Sequence, residues 1–264
     1  YRAIAIVERT SDHLIQKNRP GYQMSIKNHL LELLTEQMYD ILAPNLQLVL
    51  LNRGQVLHIP NETITELYFP IDCLLSIIIT MENGATAETG IVGNREVMGI
   101  NALMGGRETT QTEYVVQIGG AAMKIDAKIM RQEFEKNKEL RDVMLTYTQA
   151  FIAQISQNTA CNRLHVIEKR LARWLLEVQD RINSDELILT QELISNMLGV
   201  RRSGVTQAAQ KLQEEGIITY HRGYIQIIKQ QKLEAASCEC FRVVRDEYDR
   251  LLGRKIEEKN ECSR

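Results

Sequence analysis

Between Leu46 and Ile125 the chain is written in short β-branched runs, and after Asp126 in helical ones. A fold for it must therefore keep a strand-built part and a helix-built part separate in sequence, which is the α+β pattern. The strand-like runs cover residues 46–51, 55–59, 64–69, 74–80, 85–92 and 114–118. Asn52-Arg53-Gly54, Pro60-Asn61, Glu82-Asn83-Gly84 and Gly119-Gly120 punctuate them. Turn signals roughly every 8 to 12 residues are the spacing of antiparallel sandwiches and rolls, so an N-terminal antiparallel β-roll is expected. Ahead of it, Ile26, Leu30, Leu33, Leu34, Met38, Ile41 and Leu42 recur at helical spacing and predict one or two short amphipathic helices, stopped by Pro44 and Asn45.

After Asp126 the pattern predicts a long helix that starts near residue 127 or 139 and ends near Cys161. Leu140, Met144, Tyr147, Phe151, Ile155 and Asn158 follow a nearly heptad spacing along it, continued by Asn162. Such a seam either lies on the roll or pairs with a second copy of itself. The second reading makes those six residues the interface of a symmetric homodimer, with the polar ones at the far end setting register.

Composition narrows the classes. A chain of 264 residues with 44% hydrophobic and 25% charged residues can bury sizeable cores without bridges. Its five cysteines, Cys73, Cys161, Cys238, Cys240 and Cys262, are odd in number and scattered, which predicts reduced thiols and a cytoplasmic protein. No apolar run reaches the roughly 18 residues of a membrane span, and Glu8, Arg9, Asp12, Lys17 and Arg19 interrupt any signal-peptide core in residues 1–24. No nucleophile elbow, P-loop or paired metal motif is present, so no enzyme and no cofactor is expected. The net charge of −2 supplies no global basic field, yet residues 199–232 carry six basic side chains against two acidic ones.

That basic stretch has an organisation. Residues 163–182 are helical, with Leu164, Ile167, Leu171, Trp174, Leu175 and Val178 on one face, and residues 187–189 make a short strand. Thr190 caps a two-turn helix ended by Gly199, and Arg201-Arg202-Ser203 opens a second helix whose inner stripe is Val205, Ala208, Ala209 and Leu212. Gly216 ends it, and residues 217–220 and 224–228 form a hairpin around His221-Arg222-Gly223. Two short helices joined at a glycine, the second beginning with basic and hydroxyl side chains and followed by a basic hairpin, make a winged helix-turn-helix that places a helix N-terminus in the DNA major groove.

The runs Arg170-Leu171-Ala172-Arg173-Trp174-Leu175-Leu176, Leu189-Thr190-Gln191-Glu192-Leu193, Met197-Leu198-Gly199-Val200-Arg201-Arg202-Ser203-Gly204-Val205-Thr206 and Leu212-Gln213-Glu214-Glu215-Gly216-Ile217-Ile218 resemble the C-terminal domain of Crp-Fnr transcription regulators. The resemblance is close over residues 163–253, and the order of roll, long helix and winged domain agrees along nearly the whole chain. It implies a dimeric, sequence-specific regulator of double-stranded DNA at a palindromic operator, with a cyclic-nucleotide-binding-like sensor domain and RNA polymerase as a partner. Base-reading positions then fall on Arg202, Ser203 and Gln207, with Arg201 and Thr206 adjacent, and backbone-contacting positions on Thr190 and Gln191. Arg222 lies beside phosphates by its place in the hairpin. The expected parts are an N-terminal extension 1–24, a sensor roll 25–138, a dimerisation helix 139–162, a winged domain 163–253 and a tail 254–264.

The sensor departs from the cyclic AMP binders that the resemblance brings in. Gly99-Ile100-Asn101-Ala102-Leu103 stands where their phosphate cassette begins, and Gln111, Thr112 and Glu113 stand where they carry Arg-Ser-Ala. A cyclic phosphate would lose its guanidinium and gain a carboxylate neighbour. Gly99, Ile100, Asn101, Gln111, Thr112 and Glu113 are thus a candidate pocket for a small-molecule effector other than cyclic AMP. The Fnr-type cluster of N-terminal cysteines is absent, since Cys73 comes first. Cys238-Glu239-Cys240 lacks the usual two-residue gap of zinc ligands and no second pair follows it, so no metal site is expected, and neither His58 nor His165 stands out. The alternatives to a DNA-binding regulator are a redox- or metal-responsive sensor and a sensor module acting through protein contacts alone.

Overall fold

The structure, a computed structural model, describes residues 28–105 and 109–253. The expected extension 1–24 and tail 254–264, with Ile26 and Cys262, lie outside the described residues. Two short helices open the fold. Asn28 accepts from the Leu30 and Leu31 N–H groups to start α1 (His29–Glu32), and the Thr35 hydroxyl accepts from Met38 N–H to start α2 (Glu36–Leu42). A 3₁₀ turn at Ala43–Asn45, with Pro44 inside it, ends them as the sequence predicts.

Seven antiparallel strands follow: β1 (Gln47–Leu51), β2 (Val56–His58), β3 (Glu66–Pro70), β4 (Leu74–Thr80), β5 (Thr86–Val92), β6 (Glu113–Ile118) and β7 (Gly120–Asp126). They form two sheets, ordered β1-β7-β3 and β2-β6-β4-β5. Six of them lie where the alternating runs predict. The centre of the first sheet, β7, has no counterpart among the predicted runs. Its Ala121, Ala122, Met123 and Ile125 are buried, so they neither alternate nor carry β-branches before Ile125. Gly120 opens that strand because a Cβ there would sit 2.5 Å from Asp72 Oδ1, which accepts from Ala121 N–H at 2.6 Å.

Of the two starts read for the long helix, the structure has the later one, with a separate helix before it. Asp126 caps α3 (Ala127–Lys136), Asn137 is extended, and α4 (Lys138–Leu164) then runs 27 residues. Four of the six residues read as a dimer seam along α4 instead face the protein's own roll. Leu140, Met144 and Tyr147 have no exposed surface, and Phe151 is buried with its ring against Gly90, where a Cβ would come within 3.1 Å. The Tyr147 hydroxyl donates to Val97 O at 2.9 Å, and Asn158 accepts from Arg173 at 2.7 Å. Only Ile155 and Asn158 of the six keep partial exposure. Those four lie on the face by which α4 packs on its own roll, and Ile155 at its border is half-buried; a 3.5-residue apolar repeat does not distinguish a roll from a second helix as its cover.

The C-terminal part holds α5 (Ile167–Ile182), β8 (Glu186–Ile188), α6 (Gln191–Leu198), α7 (Arg202–Glu214), β9 (Ile218–His221), β10 (Tyr224–Ile227), α8 (Gln230–Ala236) and α9 (Cys240–Leu252). The helix expected from residue 163 begins later, since α4 continues to Leu164 and the chain turns at His165 and Val166. Two apolar cores result. The first joins the roll, α1, α2 and α4, and also takes Val244, Tyr248 and Leu252 of α9. The second joins the winged part to Leu74, Ile78 and Ile91 of the roll around Trp174.

Two polar contacts fix this docking. Arg181 and Glu96, with side chains 5% and 1% exposed, pair at 3.0 Å, and Asn94 N–H donates to Arg181 O at 3.1 Å. Gly93 is required there, since a Cβ would fall 2.4 Å from Arg181 Cβ. Glu88 accepts from Trp174 Nε1 at 2.8 Å and from Ser76 Oγ at 2.5 Å. Burial pushes its carboxyl from 4.5 up to about 7; the Ser76 and Trp174 hydrogen bonds oppose that, the Glu177 charge adds to it and Arg173 opposes it. A carboxyl with a raised folded pKa holds its proton longer than the unfolded chain does, so stability falls as pH rises from about 4.5 to about 7. Urea unfolding should show that decline in the parent, and Glu88→Gln should flatten it while raising stability at pH 8 by about 1 to 2 kcal/mol.

Candidate nucleic-acid interface

The exposed end of the winged part is built outward from α5. The Arg170 guanidinium, buried on α5, donates to Leu198 O and holds the last turn of α6. The Thr190 hydroxyl accepts from Leu193 N–H at 3.2 Å to cap α6, and Gly199, at φ 60°, ends it in the left-handed conformation. Val205, Ala208, Ala209 and Leu212 of α7 are buried, as the sequence predicts. Gly204 admits a neighbour from α5 rather than α6: a Cβ would meet Ile167 Cδ1 at 3.0 Å.

The opposite side of α7 is open. Arg201, Arg202, Ser203, Thr206, Gln207, Gln210 and Lys211 are all exposed. No side chain caps the first turn, so its N–H groups and the positive end of the helix dipole face solvent beside two guanidinium groups. Thr206 Oγ1 donates to Gln191 Oε1, and contacts Arg202 O, at 3.0 Å each. This ties the start of α6 to the start of α7. The hairpin turns on Arg222 (φ 49°) and Gly223 (φ 85°), both left-handed as a two-residue turn between twisted strands requires. Its third strand is β8, in the order β8-β10-β9. The Tyr220 hydroxyl donates to Leu189 O at 3.0 Å, and burial pushes its pKa up to about 12, with Arg202 opposing.

Thr190, Gln191, Arg202, Tyr220, Arg222 and Gly223 line one concave surface. The turn of the hairpin and the first turn of α7 thus form its two walls. Of the sequence-predicted positions, Arg201, Ser203, Thr206 and Gln207 extend that surface along α7.

The candidate effector positions are more dispersed. Gly99, at φ 96°, opens the 3₁₀ turn Ile100–Leu103, and a Cβ there would fall 2.9 Å from Glu66 O. Ile100 is buried, whereas Asn101 is exposed and accepts from the Tyr114 hydroxyl at 3.3 Å. Thr112 faces the Thr110 hydroxyl at 2.8 Å, Gln111 donates to Asn61 at 2.7 Å, and Glu113 is half-buried on β6. Asn101 and Thr112 come together at Tyr114, while Gln111 turns away toward the 61–62 loop. The pair Cys238 and Cys240 does have a second pair: Cys161 in the last turn of α4 and His165 just past its end stand against it. No local spacing signalled this, because the partners are more than 70 residues away.

Residues 169–236 match the Crp-like helix-turn-helix domain family. No curated protein sequence matches the chain. Among solved structures, a putative transcriptional regulator of the crp/fnr family from Eubacterium rectale is similar at 20% identity and TM-score 0.61, over 78% of this chain and 96% of that one. FixK2 from Bradyrhizobium japonicum is similar at 13% identity and TM-score 0.63, over 73% and 98%. The c-di-GMP responsive global regulator CLP from Xanthomonas campestris is similar at 13% identity and TM-score 0.60, over 73% and 99%. With the roll, the long helix and the exposed α7 in place, the C-terminal part belongs to the Crp-like helix-turn-helix domain family, in a chain with the fold of Crp/Fnr transcription regulators.

Proposed function

We propose that the protein is a sequence-specific regulator of transcription that grips double-stranded DNA as a homodimer. The observation that carries this reading is the open face of α7, with Arg202, Ser203 and Gln207 exposed on it and Arg222 across the concave surface. Arg202 has the fork that suits guanine O6 and N7, and Gln207 pairs with adenine or a phosphate. Thr190, Gln191, Arg201, Thr206 and Arg222 serve as phosphate and positioning contacts. RNA polymerase is the expected protein partner of such a regulator on its promoter.

The dimer is assigned to the outer side of α4, not to the side facing the roll. Leu145 and Ile152, 46% and 59% exposed, lie one heptad apart, with half-buried Thr148 and Ile155 in the alternate positions. A second copy of the same helix covers such a stripe, and two winged units on one side of B-DNA then read half-sites about 34 Å apart. Cyclic AMP is not the effector in this reading, since Gln111, Thr112 and Glu113 offer its phosphate no guanidinium. The name of the Xanthomonas regulator is consistent with the same fold answering to another ligand.

The test combines sedimentation with duplex binding. The parent should sediment as a dimer at micromolar concentration and retain a palindromic duplex at physiological salt, with no gain from millimolar cyclic AMP. Ile152→Glu should raise the dimer dissociation constant about a hundredfold and weaken palindrome binding in parallel. A monomeric parent overturns the dimer assignment, and a parent that retains no duplex overturns the DNA reading.

A further inference from the structure

Four donor atoms converge where α4 ends and α9 begins. Cys161 Sγ, His165 Nδ1, Cys238 Sγ and Cys240 Sγ all lie within 4.8 Å of one another. Cys161 and Cys238 approach to 3.5 Å, and Cys240 Sγ lies 3.6 Å from His165 Nδ1. Zinc bonds of about 2.3 Å to sulfur and 2.0 to 2.1 Å to nitrogen, directed tetrahedrally, separate neighbouring ligand atoms by about 3.4 to 3.8 Å. The two short separations already match that geometry. Cys161 lies in the last turn of α4 and His165 is the extended residue that caps it, its N–H donating to Cys161 O at 3.0 Å, so the end of one helix presents half of the ligand set.

The surroundings are those of a metal site. The three cysteines are 0%, 3% and 0% exposed and pack on one another as a cluster separate from both apolar cores. Thiols serving only as small apolar filler would instead be distributed among aliphatic side chains. The second ring nitrogen of His165 lies 3.4 Å from Glu239 Oε1, the carboxylate partner that fixes the tautomer of a ligating histidine. Gln157 Nε2 donates to Cys240 Sγ at 3.1 Å. Three thiolates and a neutral imidazole around a divalent ion carry net −1, which the Arg170 guanidinium, electrostatically coupled to Cys161, offsets; Arg173 also acts on Cys161 but is itself paired with Glu177 at 2.7 Å.

We propose that Cys161, His165, Cys238 and Cys240 bind one zinc ion in a closed tetrahedral site that clamps the end of α4 to the start of α9. Binding forms three zinc–sulfur bonds and one zinc–nitrogen bond and releases to solvent the protons of those cysteines that were thiols. With four protein ligands no coordination position stays open, so the site is structural and not catalytic.

The full-length protein, purified without chelator, should contain one zinc per chain by mass spectrometry of the metal. After chelator treatment under reductant, the folded protein titrated with Co²⁺ should develop the visible absorption of tetrahedral thiolate-bound cobalt, saturating at one ion. This titration needs no variant. Cys240→Ser and Cys161→Ser should lose most of that absorption, while Cys73→Ser, buried in the roll, should keep it. Zinc should also raise the melting temperature of the stripped parent and not that of Cys240→Ser. Absence of both zinc and the cobalt absorption in folded parent overturns the proposal, as does a Cys161–Cys238 disulfide in freshly purified protein.

Discussion

Arg181→Ala should cost the folded chain about 3 to 5 kcal/mol, because it leaves the Glu96 carboxylate buried without its cation. Glu96 is 1% exposed; it also accepts from Gly93 N–H at 2.5 Å and from the Tyr248 hydroxyl, and the Arg95 charge acts on it more weakly than that of Arg181. Burial alone already pushes the Glu96 carboxyl up, with Arg181 opposing that push. Removing the guanidinium takes away the larger of the two charges that favour the carboxylate and favours protonation of Glu96, so the loss should be larger at pH 8 than at pH 5.5. Urea unfolding at the two values checks both the size and its sign. The paired replacement Arg181→Met with Glu96→Met should recover most of the loss, since an apolar pair of similar volume removes the desolvation penalty together with the attraction. If the single variant unfolds like the parent, the ion pair is not what holds the end of α5 to the roll.

Arg202→Ala should weaken binding to the best duplex by about 1 to 3 kcal/mol, or roughly five- to 150-fold, and relax the preference at one base position. Arg202 is the first residue of α7 and is exposed, so stability should move by no more than about 0.5 kcal/mol. Lys232→Ala, an exposed position on α8, should instead weaken all sequences alike and reduce the salt slope by about 1. Measured against a panel of single-base variants, the two profiles separate base reading from phosphate contact. A parent-like affinity in Arg202→Ala would mean that α7 is not the reading helix.

The winged part was legible in the sequence because each of its decisions is local. Thr190 caps, Gly199 and Gly216 end helices, Arg222-Gly223 turns the hairpin, and each signal lies within a few residues of its effect. Six strands were legible for the same reason, since turns bounded them. The side of α4 that meets the roll was not, because Leu140, Met144 and Tyr147 announce burial without naming the cover. Nor was β7, whose alanines carry neither alternation nor β-branching. The thiol site was illegible in another way. Its halves sit on separate elements, and only the return of α9 across α4 brings Cys238 and Cys240 to Cys161 and His165. The polar contacts that dock the two parts, Glu88 to Trp174 and Glu96 to Arg181, pair residues about 85 positions apart and leave no periodic trace.

The path of α9 has a mechanical consequence. The chain enters the unit from α5 to α8 through His165 and Val166, and leaves it through residues 237–239 to rejoin the first core. Cys240 Sγ lies 3.6 Å from His165 Nδ1, so the entrance and the exit sit side by side. A body fastened to its support at two distant points cannot turn without stretching one fastening. One fastened at two adjacent points can swing like a gate on a single hinge pin. Any rotation of the reading helix relative to the roll must therefore pivot at this corner, with the contacts of Trp174 and Arg181 on α5 to Glu88 and the 93–96 loop of the roll acting as the latch.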